Sequence, residues 1–158
     1  IDAHILIWGV RRNAQPGQEM LIPRAEYFLE KCQNEGVNIL VPSIVLAELL
    51  AGASRAVASQ LARTMQKRFM IVPFDARAAE EFGQMWRRWK EKHPDGNLSS
   101  EGFTRQKLKA DYMILATAIT RGAWCIYSHD NAMKRFAEGL IEVEELPEMP
   151  PRQEKLLY

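Results

Sequence analysis

The chain has 158 residues, 47% of them hydrophobic and 26% charged, with a formal net charge of +1. That length and balance suit one soluble globular domain with a sizeable core. They exclude a polycation, so any binding to nucleic acid must come from a local basic patch. No apolar run is long enough to span a bilayer, and no signal peptide is visible. The chain opens on Ile1-Asp2 rather than on methionine, so further N-terminal residues are expected upstream. Cys32 and Cys125 both lie in apolar surroundings and read as buried free thiols, which suits a reducing, cytoplasmic compartment.

Residues 1–8 (IDAHILIW) read as a buried strand, extending upstream, whose last residues turn into a helix. Asp2 is costly there unless it is paired or metal-bound, and His4 reads as a structural imidazole. Residues 11–22 form a polar loop. Residues 23–35 predict a helix with Pro23 in the first turn and Gly36 as its stop. The β-branched run 37–41 (VNILV) predicts a strand. A short helix over 44–51 follows, with Ser43 as N-cap and Gly52 as stop. Glu48 sits inside that helix, in IVLAELLAG. On a solvent-facing side it would be unremarkable.

Residues 54–68 predict an amphipathic helix carrying Arg55, Arg63, Lys67 and Arg68, and 69–74 (FMIVPF) a strand. Asp75 caps a helix running to about Lys92. Its cluster Trp86-Arg87-Arg88-Trp89-Lys90 is either an amphipathic face with tryptophans turned inward or a stacking and phosphate-binding surface. Residues 93–102 (HPDGNLSSEG) are the clearest loop in the chain. Residues 109–120 (KADYMILATAIT) predict a helix that is apolar nearly all round, hence buried, with Asp111 in its first turn. On its own, Asp111 reads as an acid complementing the positive helix end. A strand over 124–128 (WCIYS), a short helix over 132–138 and a strand over 140–146 complete the domain. Residues 147–158 predict an extended tail. There is no internal repeat and no linker. Strands alternating with helices point to an α/β fold with a mostly parallel sheet, whose sites gather at the carboxyl ends of the strands.

Four acids sit against apolar runs: Asp2, Glu48, Asp111 and Asp130. The layout lets them converge, and four carboxylates in one place are tolerable only with a cation between them. Oxygen ligands select Mg²⁺ or Mn²⁺, and there is no Cys/His spacing for zinc. Such a site can lower the pKa of water and stabilise charge on a phosphodiester. No glycine-rich phosphate loop, GxSxG or catalytic cysteine is present. The basic residues Arg105, Lys107 and Lys109 just before Asp111, and then Arg87, Arg88 and Lys90, are the candidates for holding substrate backbone.

In order and context these acids resemble the motifs of the PIN domain: Asp2 in IDAHILIW, Glu48 in PSIVLAELLAG, Asp111 in KADYMILATAIT and Asp130 in YSHDNAMKRF. The resemblance spans residues 1–146, and its nearest look-alikes are VapC-type toxins of toxin–antitoxin pairs. It implies a three-layer α/β fold with a central, mostly parallel sheet flanked by helices. It implies a Mg²⁺- or Mn²⁺-dependent endoribonuclease, with the four acids as catalytic and metal-binding residues. It also implies a homodimer and a small antitoxin partner. Ala3-His4 replaces the threonine and asparagine common in the family, and Ser128 replaces a common threonine while keeping a hydroxyl to orient a carboxylate or water. Residues 76–104 are long and charged for a minimal toxin, which bears on substrate and partner more than on chemistry. A non-catalytic RNA- or protein-binding module of the same fold is the alternative, and the complete acid set argues against it. A phosphotransfer domain would need an aspartate ending a middle strand and a lysine late in the chain; here the middle strands end in prolines without such an acid, although Asp75 follows shortly after Phe74.

Overall fold

The computed structural model describes residues 1–94 and 104–150. Seven helices and four short strands alternate along these residues: α1 (Ala3–Gly9), α2 (Leu21–Asn34), β1 (Leu40–Pro42), α3 (Ser43–Leu50), α4 (Arg55–Arg68), β2 (Met70–Val72), α5 (Ala76–Lys92), α6 (Arg105–Thr120), β3 (Cys125–Tyr127), α7 (Asn131–Phe136) and β4 (Glu142–Glu144). The strands pair in parallel, β1 with β2 and β3 with β4. Ile1-Asp2 lies between the two pairs. The amino group of Ile1 donates to the Leu40 carbonyl at 3.0 Å, and the Asp2 N–H to the Tyr127 carbonyl at 3.2 Å. The fold is thus α/β, with short parallel strands flanked by helices, as the alternation predicts.

Helix α6 is the centre of the molecule. Leu108, Ile114, Leu115, Ala116 and Ala118 are buried along it, and it packs against β1, α3, α5 and α7. Thr104 starts it by accepting from the Lys107 N–H at 3.1 Å. Gly122 stops it with φ of 69°, where the Ala123 N–H reaches back to the Ala118 carbonyl at 3.0 Å. At the other end of the core, α1 crosses α2 so closely that a Cβ on Gly9 would lie 2.7 Å from Leu29 Cδ1. A side chain at this position would need Leu29 to swing aside and the α2 backbone at Ala25, 3.2 Å away, to give slightly. Arg24, on α2, donates to the carbonyls of Leu146 and Pro147, which ties the chain after β4 to this layer.

Several boundaries differ from the sequence expectation. Residues 3–9 are helical, and Asp2 caps that helix instead of lying within a strand. The apolar run is too short for its period to separate strand from buried helix, and the cap decides the matter. Helix α6 starts at Arg105, so Asp111 falls in its second turn and not in its first. Ser43 is the first residue of α3 rather than its cap, and its hydroxyl accepts from the Phe74 N–H at 3.3 Å. Cys32 is buried, whereas Cys125 is only partly so. Of the 93–102 loop, residues 95–102 lie outside the described residues, as do residues 151–158 of the tail.

Candidate active site

Asp2, at the start of α1, is 5% exposed. Its Oδ1 accepts from the N–H groups of His4 (2.7 Å) and Ile5 (3.4 Å), and its Oδ2 from the Ser128 hydroxyl. Burial pushes this carboxyl up. The His4 imidazole and the Ser128 hydroxyl more than offset that and hold it below the usual aspartate range. His4 is itself raised by Asp2, with its Nδ1 3.8 Å from Asp2 Oδ2.

Ser128 is fully buried at the end of β3. While donating to Asp2, its oxygen accepts the Asp130 N–H at 3.0 Å. One hydroxyl therefore fixes two of the acids against each other. Asp130 caps α7, its Oδ1 accepting from the Ala132 N–H at 2.8 Å. Its Oδ2 lies 2.7 Å from the Lys107 ammonium.

Asp111 is 7% exposed, and its Oδ2 is buried without a hydrogen-bond partner among the described residues. Burial first, and then the negative charge of Asp130, Glu48 and Asp2, raise its pKa to about 7, against the pull of Lys107. Glu48 has an exposed position on α3, yet burial and the charge of Asp2 raise it too. The four acids thus share one electrostatic environment at the carboxyl ends of β1 and β3. As their side chains lie, no three His, Cys, Asp or Glu among the described residues form a ready metal-ligand set. Asp2 is turned onto Ser128 and Asp130 onto Lys107. Two cavities of about 460 and 520 Å³ lie elsewhere, and none of the four acids lines either.

The donor set fits a hard divalent cation. All four groups offer oxygen, and one carboxylate oxygen is buried and unpartnered among the described residues, under a negative field. A positive group already stands among the acids, the ammonium of Lys107, whose own pKa Asp130 raises.

The remaining basic candidates divide in two. Arg105 and Lys109 sit over the Trp86 ring, 5.9 and 5.7 Å from its centroid. Trp86 stacks with Phe82 and Trp89 along α5, and Trp89 is buried, so the tryptophans serve mainly the α5–α6 contact. Arg87, Arg88 and Lys90 are exposed on α5. Attention to the acids alone misses Lys107 as a partner of Asp130. A signal is present in the i, i+4 spacing of Lys107 and Asp111, which puts both on one helix face.

Comparison with known proteins agrees with this architecture. The sequence profile of the PIN domain matches residues 1–139, and the chain belongs to that family. Among solved structures, it is similar to a chain in the crystal structure of VapBC2 from Rickettsia felis bound to a DNA fragment from their promoter. The TM-score is 0.61 at 18% identity, over 92% of this chain and 96% of that one. No curated protein matches the sequence.

Proposed function

We propose that the protein is a divalent-metal-dependent endoribonuclease, with Asp2, Glu48, Asp111 and Asp130 holding Mg²⁺ or Mn²⁺. The observation that carries this reading is the buried, unpartnered oxygen of Asp111, under the charge of the other three acids. Membership of the PIN family supports the nuclease class. The cation, when bound, would supply positive charge at the scissile phosphate.

The chain's own residues do the positioning. Ser128 and the first N–H groups of α1 fix Asp2. The Ala132 N–H fixes Asp130 from the other side. Lys107 contributes a positive charge beside them. Arg87 and Arg88, exposed on α5, hold phosphates of the strand farther from the site.

The structural neighbour is named for a VapBC2 complex. By extension, this chain is the cytoplasmic toxin of a toxin–antitoxin pair, held by a small antitoxin protein and self-associating as a homodimer.

The test is incubation of purified protein with structured and unstructured RNAs in Mg²⁺, in Mn²⁺ and in EDTA. Metal-dependent fragments, absent in EDTA and absent for Asp111→Asn, are expected. RNA retention without cleavage under every condition would favour the non-catalytic module.

A further inference from the structure

Lys107, on the exposed first turn of α6, extends its side chain to Asp130. Its Nζ lies 2.7 Å from Asp130 Oδ2, and the charges of Asp111 and Asp2 also act on it. Its own charge is felt in turn at Asp111, Glu48 and His4. One ammonium therefore does, in part, what a divalent cation would do. It does not finish the task, because Asp111 Oδ2 has no partner among the described residues.

We propose that Lys107 is an internal counter-ion of the site: it holds Asp130 in the metal-free protein, yields that carboxylate to an entering divalent cation, and then presents its ammonium to the substrate phosphate. The inference rests on the metal-dependent nuclease reading above.

Three features of the geometry support the exchange. The pair is accessible, with 46% of the Lys107 side chain and 18% of the Asp130 side chain exposed, so water and ions can reach it. Asp130 does not depend on the lysine for its orientation, because its Oδ1 stays tied to the Ala132 N–H. Lysine is a point charge on a flexible stem, with no forked geometry to give up when it leaves one oxygen for another. The exchange also explains why the acids share one field yet form no ready ligand set among the described residues: Asp130 is committed to Lys107. Two cations competing for one carboxylate bind anticooperatively, so the lysine lowers the apparent affinity for metal.

The experiment is a Mn²⁺ titration by calorimetry on the parent, Lys107→Met, Lys107→Arg, Lys109→Met and Asp111→Asn. Lys109→Met removes the same charge from the same helix, but Lys109 lies over Trp86 rather than on an acid. Lys107→Met is expected to bind Mn²⁺ about tenfold tighter, a usual size for coupling between two bound groups. Lys109→Met is expected to stay near the parent, and Lys107→Arg, whose fork can grip the carboxylate, to bind Mn²⁺ no tighter than the parent. An affinity of Lys107→Met equal to or weaker than the parent's overturns the proposal, as does an equal gain in Lys109→Met. Should Lys107→Met fail to fold without metal, a second measurement serves. The lysines of the parent are reductively methylated with ¹³C and the Lys107 signal, identified by its loss in Lys107→Arg, is followed as Mg²⁺ is added. The signal should shift with saturation. An unmoved signal in a protein that binds Mg²⁺ overturns the proposal. Binding by the parent but no gain in Lys107→Met removes the counter-ion alone. No binding by parent or variant removes the metal-dependent reading and the counter-ion with it.

Discussion

The Ser128 hydroxyl donates to the buried carboxylate of Asp2, 126 residues away in the chain, and so ties the end of β3 to the start of α1. The same oxygen accepts the Asp130 N–H. Ser128→Ala breaks both bonds and leaves a buried carboxylate short of a donor. Losses of that kind cost about 1–3 kcal/mol each at buried groups. Urea unfolding should show a clear loss for alanine. Ser128→Thr, which keeps the hydroxyl, should lie closer to the parent. Equal losses for both variants would mean that packing, not the hydroxyl, matters there.

Asp2 and Asp111, both assigned to the proposed metal site, should respond oppositely to neutralisation. Asp2 accepts two backbone N–H groups and a hydroxyl, and these favour its charged form. Asp2→Asn gives up acceptor capacity and should unfold more easily in EDTA. Asp111 has a buried oxygen that nothing among the described residues satisfies and a pKa raised to about 7. Asp111→Asn relieves that burden. Denaturant midpoints of the two variants, compared with the parent in EDTA, should move in opposite directions.

The pH dependence follows from the same shift. The unfolded chain releases the Asp111 proton near 3.8, whereas the native protein releases it near 7. Between those values the native state binds more protons, so its stability falls as pH rises and levels off above about 7. The fall attributable to this one group is on the order of a few kcal/mol. Without metal, the stability difference between Asp111→Asn and the parent should therefore grow from pH 4 to 7 and then stay constant. A difference independent of pH would place the Asp111 pKa in the ordinary range.

Much of this arrangement is legible in the sequence. The four acids stand out because each interrupts an apolar run, and the alternation of strands and helices sets the α/β class. Residues 1–8 mislead because a short apolar run carries no decisive period; the side-chain cap made by Asp2 is what starts the helix there. The sequence pattern puts Asp111 one turn too early because Thr104, which caps α6, stands after a loop and before a basic stretch with no apolar signal. The Lys107–Asp130 pair joins α6 to the loop after β3, so local spacing signals only that Lys107 shares a helix face with Asp111, and not that it meets Asp130. The tryptophans of α5 are ambiguous in sequence. Their stacking along the helix, with Arg105 and Lys109 laid over Trp86, assigns them mainly to packing.

That division narrows the surface proposed to hold RNA. All four cations are exposed, but Arg105 and Lys109 are also laid over the Trp86 ring, which leaves Arg87 and Arg88 as the less engaged pair. Neutralising one phosphate-binding cation should reduce the slope of log affinity against log salt by about 1. In the Asp111→Asn background, expected not to cut its ligand, changing Arg87 and Arg88 together to Gln should flatten that slope by up to about 2. An unchanged slope would remove α5 from the RNA path.

Whether the four acids form one metal site is decided by thermal melting. Parent and Asp111→Asn are melted in EDTA and in Mg²⁺. With a shared metal site, the mutant melts in EDTA at the same temperature as the parent or higher. Mg²⁺ then raises the parent more than the mutant, because binding to the native state alone stabilises by mass action. A mutant that melts lower in EDTA, with Mg²⁺ moving both proteins equally, would contradict a shared site and leave Asp111 as a structural acid of α6.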